Sequence, residues 1–211
     1  MVQLLVVAVA ATAGVLAFGV GSASAFGSYT CSGVAATDTP ALQALINTGG
    51  TVTVFGPLPC VGNWTVPVDV TIQGGTPGAT LNGNATGSVL TVAGGVTLTV
   101  QNLKITNGAA PLDGGGIDLA CCGSTLNLSH VTVTGNTAPV DIGGGVFNDD
   151  GTANVINSTI SNNTALFGGG ISTDDFGVTT LTASSVTGTC PRTRAASTPS
   201  SSRPWTWSTR R

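Results

Sequence analysis

One pattern of apolar, hydroxyl and glycine residues occurs three times between residues 96 and 171, and this recurrence constrains the fold more than any other feature. The three copies are Val96–Ile117 (VTLTVQNLKITNGAAPLDGGGI), Ser124–Val146 (STLNLSHVTVTGNTAPVDIGGGV) and Ala153–Ile171 (ANVINSTISNNTALFGGGI). A fourth copy starts at Thr179 as TTLTASSVTG and then stops matching. The Gly-Gly-Gly runs begin at Gly114, Gly143 and Gly168, spaced by 29 and 25 residues. Each copy holds two short strands: an alternating one such as Leu103-Lys104-Ile105 or Val131-Thr132-Val133, and one after the Gly run at Ile117, Val146 or Ile171. Strands this short cannot bury an apolar face alone and do so only by stacking on the next copy. An antiparallel sandwich calls for two-residue hairpin turns and irregular strand spacing, which the period does not supply. The expected fold class is therefore all-β, a right-handed parallel β-helix (solenoid) with a short N-terminal capping helix and coils of roughly 25–30 residues.

Composition agrees. Only 7% of residues are charged, 41% are hydrophobic and 31 are Gly. Exposed faces of helical folds need more Glu, Lys and Arg than this. The stacked Asn107, Asn136 and Asn163 predict a turn ladder of side-chain amides. One segment before the repeats reads as a helix, Asp38–Asn47, with Asp38 or Thr39 as N-cap, Pro40 in the first turn and Gly49-Gly50 as its stop. It is expected to cover the open end of the solenoid.

Four regions follow from this reading. Residues 1–25 are expected to be a signal peptide, with an apolar run from Leu4 to about Val20 and Ala23-Ser24-Ala25 as cleavage site. Residues 26–50 form the N-terminal cap, 51–189 the coils, and 190–211 a disordered or frameshifted tail in which the repeat gives way to Pro, Ser and Arg. Export permits disulfides. Cys31 and Cys60 both fall near the cap and are expected to pair, Cys121 and Cys122 are adjacent, and Cys190 is left over. No C-x-x-C spacing supports zinc.

Charge narrows the function classes. The acidic residues are nine Asp, Lys104 is the only cation before the tail, and all five Arg lie in the last twenty residues. Nucleic acid is excluded as a partner, since phosphate contacts need clustered cations. Asp149-Asp150 and Asp174-Asp175 lie one coil apart at equal offsets from their Gly runs and should stack on one edge, with Asp118 one coil earlier. Three roles are open to these carboxylates: a site for a hard cation such as Ca²⁺, an acid and a base for a glycosidic bond, or a solvated turn. No other cofactor is called for. His130, the only His, is expected at a surface turn.

The opening TDTPALQALINTGGTVTVFGP (residues 37–57) resembles the start of pectate-lyase-like proteins. The repeated GGG-[IV] and [GN]-N-T-A elements resemble polymorphic outer membrane protein repeats and exported β-helix repeat proteins, over roughly residues 35–189. The resemblance implies a β-helix and leaves function open between polysaccharide lyases or hydrolases and adhesin-like or passenger domains. Lyase chemistry needs cations and a base beside the substrate, and the body offers only Lys104. The expectation is a secreted or cell-surface binding and structural module, with carbohydrate or a cell-surface component as partner and the membrane met only through the signal peptide. The alternative is a polysaccharide lyase or glycoside hydrolase.

Overall fold

The structure, a computed structural model, describes residues 26–191 apart from Pro77 and Cys121. The expected signal peptide, Cys121 and the chain from residue 192 lie outside the described residues, as does the side chain of Cys190. The chain winds into a parallel β-solenoid of about six turns, with one short helix near its start.

Every strand pairing is parallel, and strands of successive coils build the faces. A seven-stranded sheet runs through Phe26–Thr30, Gly50–Phe55, Val70–Gly74, Thr97–Gln101, Thr125–Ser129, Thr152–Ile156 and Val178–Thr182. A six-stranded sheet stacks Cys60–Val61, Ala79–Asn82, Leu103–Thr106, Thr132–Thr134, Thr159–Ser161 and Ser185–Thr187. A five-stranded sheet stacks Trp64–Val66, Leu90–Val92, Ile117–Leu119, Val146–Asp149 and Ile171–Asp174. In the last coils a short sheet is added by Thr137–Ile142, Thr164–Phe167 and Cys190–Pro191. The expected stacking of Leu103–Thr106 on Val131–Thr134 and Thr159–Ser161 holds, with Ile105, Val133 and Ile160 in one column.

The coil differs from the expected one in having three strands, not two. What reads as one alternating stretch is bent by a single residue with a left-handed backbone: Asn102 (φ 53), His130 (φ 57), Asn157 (φ 47) and Ala183 (φ 49). The bend places Leu98 and Val100 on one wall and Leu103 and Ile105 on the next, all buried. Alternation survives on either side of the corner because side chains on a strand point to opposite faces in turn.

Two turn elements explain the recurrence of Gly and Asn. A Cβ on Gly144 would lie 2.4 Å from the carbonyl oxygen of Thr164 and 2.6 Å from that of Gly169, so only glycine permits the coils to approach there. The Asn ladder is real but shifted from the expected set. Asn136 and Asn163 are buried; Asn136 Nδ2 donates to Asn163 Oδ1 (3.0 Å) and to the Ile105 carbonyl (3.3 Å). Gly108, not Asn107, holds the equivalent place one coil earlier, and its N–H donates to Asn136 Oδ1 (2.9 Å). Asn107 takes the preceding left-handed position (φ 57) and donates at the surface to Asn82 Oδ1 (2.9 Å). Its spacing to Asn136 is one residue longer than the coil, whose register pairs Thr106 with Thr134.

The N-terminal end also departs from expectation. Phe26–Thr30 is a strand that opens the long sheet on Gly50–Phe55. The helix spans Ala35–Ile46 and has no side-chain N-cap hydrogen bond, so neither Asp38 nor Thr39 caps it. Instead Asp38, fully buried, accepts from Tyr29 OH (2.7 Å), Ser32 N–H (2.9 Å), Ser32 Oγ (2.7 Å), Gly33 N–H (3.1 Å) and Val61 N–H (2.9 Å). Cys31 and Cys60 are bonded, with Cα atoms 4.6 Å apart, closing a loop that the chain-entropy estimate values at about 3 kcal/mol. At the far end, Cys190–Pro191 still pairs with Thr164 and Ala165, so the sheets reach two residues past the expected end of the coils.

Candidate functional site

The Asp pairs stack as expected. Asp149 and Asp174 are register partners on the five-stranded sheet, and Asp150 (φ 52) and Asp175 (φ 48) follow in left-handed turns. Asp118 sits on that sheet between Thr91 and Phe147, two positions from the slot of Asp149. Among the described residues no group of three or more His, Cys, Asp or Glu side chains is arranged to hold a metal ion.

What this edge does hold is a perturbed carboxyl. Asp118 is pushed up to about 6 by burial and by the neighbouring carboxylates of Asp113 and Asp149. Burial also raises Asp113, helped by Asp141, Asp149 and Asp174, while the Ile142 N–H hydrogen bond opposes it. Asp149 is raised by partial desolvation and by Asp175, Asp174 and Asp150. Asp118 is the register partner of the buried Phe147 in the following coil.

Stability should record this shift. A carboxyl raised in the folded state binds its proton more tightly than in the unfolded chain. Its stabilising contribution is complete below about 4 and is lost as pH rises through about 6, by at most about 3 kcal/mol. Asp38 has the opposite sign, because its hydrogen bonds outweigh the effect of burial and lower it; its contribution is lost only as pH falls below the ordinary carboxylate range toward its reduced value, outside the window of the thermal melts. Thermal melts should accordingly rise by several degrees from pH 7.5 to pH 5. In Asp118→Asn most of that rise should vanish; an identical rise in the variant would refute the assignment.

The six-stranded sheet carries the second site. Lys104 stacks on Thr80 and Thr132, and Thr132 on Thr159, all on the outward face. Beside them a shallow groove of about 650 Å³ is lined by Thr80, Asn102, Lys104, His130, Thr132, Thr134 and Ser161, among others. His130 turns the corner next to it, with Nδ1 3.0 Å from Ser129 Oγ, and Ser161 Oγ lies 3.3 Å from Thr134 Oγ1. The fold thus brings the one Lys and the one His of the chain together, which the sequence reading did not. The signal was in the repeat: aligning Leu103-Lys104-Ile105 on Val131-Thr132-Val133 already sets Asn102 close to the His130 corner.

The long sheet presents a neutral counterpart. Thr71, Thr99, Asn127, Asn154 and Thr180 form one outward row, in which Asn154 Nδ2 donates to Asn127 Oδ1 (3.0 Å). A depression of about 410 Å³ at its N-terminal end is lined by Thr51, Thr71, Thr97, Thr99 and Asp69.

Among the described residues no helix is long and apolar enough to cross a membrane. Comparison of the chain with protein-family models, curated proteins and solved structures returns no match.

Proposed function

We propose that this chain is a non-catalytic, exported or cell-surface module that binds carbohydrate along its polar faces and serves as a rigid spacer. The observation that supports this reading is the pair of outward rows of hydroxyl and amide side chains, on the six-stranded and long sheets, fixed by strand register. Rows held at the roughly 4.8 Å spacing of neighbouring strands offer donors and acceptors in series, without side-chain ordering to be met on binding. Repetition favours an extended, repeating ligand. A glycan array probed with the purified chain, with and without Ca²⁺, tests the reading. Retention of a defined set of glycans, unaffected by chelator, is the expected result, and an array without any retained glycan would refute it.

A second reading, glycoside hydrolysis, has one observation in its favour. Asp118, raised to about 6, faces the carboxylates of Asp113 and Asp149, and glycosidases use a protonated carboxyl opposite an ionised one. Our expectation is that incubation with pectin, polygalacturonate and alginate in the presence of Ca²⁺ releases neither reducing nor unsaturated ends. Release that is abolished by Asp118→Asn or Asp149→Asn would establish the enzyme instead.

A further inference from the structure

We infer that the groove beside Lys104 takes a sparsely charged acidic oligosaccharide, one anionic substituent flanked by neutral sugars; this rests on the carbohydrate-binding reading above. Lys104 is the only cation among the described residues, and the groove it enters has no carboxylate in its lining. The hydroxyl residues Thr80 and Thr132, register neighbours of Lys104, and Thr134 and Ser161 line the same groove and supply neutral donors and acceptors. An ammonium is a compact point charge with three donors, suited to one sulfate or carboxylate oxygen cluster. Beyond it, the same sheet continues through Thr159, Ser185 and Thr187, and none of these positions carries a charge.

The number of charges the face accepts follows from that arrangement. A glycan with an acidic group on every sugar would set one against Lys104 and the others against uncharged hydroxyls. The solenoid as a whole, with nine Asp and a single Lys before the tail, would repel those others. A neutral glycan would forgo the charge-assisted hydrogen bond to Lys104. The depression on the long sheet supplies the contrast: its hydroxyls resemble those of the groove, but its one charged residue is Asp69, which favours neutral sugars. The carboxylate and the sulfate ester share the chemistry Lys104 recognises, so both are tested.

The experiment uses the full chain and four oligosaccharides of equal length: a neutral β-glucan, the same glucan with one internal glucuronate, the same with one internal sulfate ester, and an oligogalacturonate. Calorimetric titration should rank a singly acidic glucan about tenfold tighter than both the neutral and the fully acidic ones. Lys104→Gln should erase that preference and Lys104→Arg should keep it. Circular dichroism melts should coincide for all variants, since the side chain of Lys104 is exposed. Glycan binding without the preference, a preference that persists in Lys104→Gln, or tightest binding of the oligogalacturonate would each overturn this inference and leave the binding reading intact. Failure of every oligosaccharide, together with an empty array, would remove both.

Discussion

Val133→Asp is expected to yield no folded protein. Val133 is fully buried, stacked between Ile105 and Ile160 in the column that forms the inner wall of the six-stranded sheet. An ionised carboxylate placed there has no described partner within the core and would cost more than about 4 kcal/mol even after relaxation. That is comparable to the whole stability of an ordinary domain, about 5–15 kcal/mol. Each coil also exchanges backbone hydrogen bonds with the coils before and after it, so disorder in one would propagate to both neighbours. The expected observation is insoluble expression, or soluble protein with no cooperative melt. Val133→Ile, which keeps the apolar character, should retain a cooperative transition. A Val133→Asp protein that melts like the wild type would show that this wall does not pack as described.

Removing the Asp38 carboxylate should have the next largest effect. It gathers five donors from three segments: Tyr29 on the first strand, Ser32 and Gly33 in the loop after it, and Val61 on the six-stranded sheet. Burial raises its carboxyl, but hydrogen bonds from Ser32 and Val61, joined by Tyr29, outweigh this and hold it below the usual range. Asp38→Ala leaves these groups facing a cavity, and at about 1–3 kcal/mol per buried unsatisfied group a loss of roughly 4 kcal/mol is expected. Asp38→Asn, which keeps the shape but reverses two of the contacts into donor against donor, should lose somewhat less. Tyr29 gives an independent readout. It is pushed up to about 12 by burial and by Asp38, so ultraviolet titration of Asp38→Ala should show a fall toward 10. An unchanged melting temperature and an unchanged Tyr29 titration would together refute the role assigned to Asp38.

Much of the architecture was legible because stacking repeats the same requirement in every coil. The period, the Gly runs and the column of Ile105, Val133 and Ile160 followed from alignment alone. The third wall was less visible, since a corner made by one residue such as His130 looks like continued alternation. It does leave a trace: buried Leu126, Leu128, Val131 and Val133 are spaced two, three and two apart, not evenly. The cap was misread because Asp38 has the residue type of an N-cap and the neighbours of a helix start, yet its carboxylate serves long-range partners. Local rules weigh only nearby backbone amides. Cys31 and Cys60 were paired correctly from their shared place in the cap.

The sites were less legible than the walls. The carboxylate edge was found, but Asp118 was valued only as a neighbour of the pairs, because its burial arises only once neighbouring coils are stacked on its own. Lys104 was weighed solely as the one cation that lyase chemistry could draw on. That reading missed its own surroundings, which become a site only when Thr80, His130 and Thr132 are stacked around it.

The helix also changes how the N-terminal end meets its surroundings. Gln43 Oε1 accepts from Thr65 N–H (3.0 Å) and its Nε2 donates to the Thr65 carbonyl (2.7 Å), while Thr39 Oγ1 donates to the Val61 carbonyl (3.2 Å). With Asp38 on Val61 N–H, three side chains thus occupy backbone groups that an incoming strand would otherwise claim. A parallel stack is a template in both directions, and an unblocked terminus can recruit any extended peptide. Here the backbone groups of Val61 and Thr65, on the first strands of the six- and five-stranded sheets, are occupied by side chains that imitate a strand but cannot be copied onward, so an extended peptide is denied those hydrogen bonds.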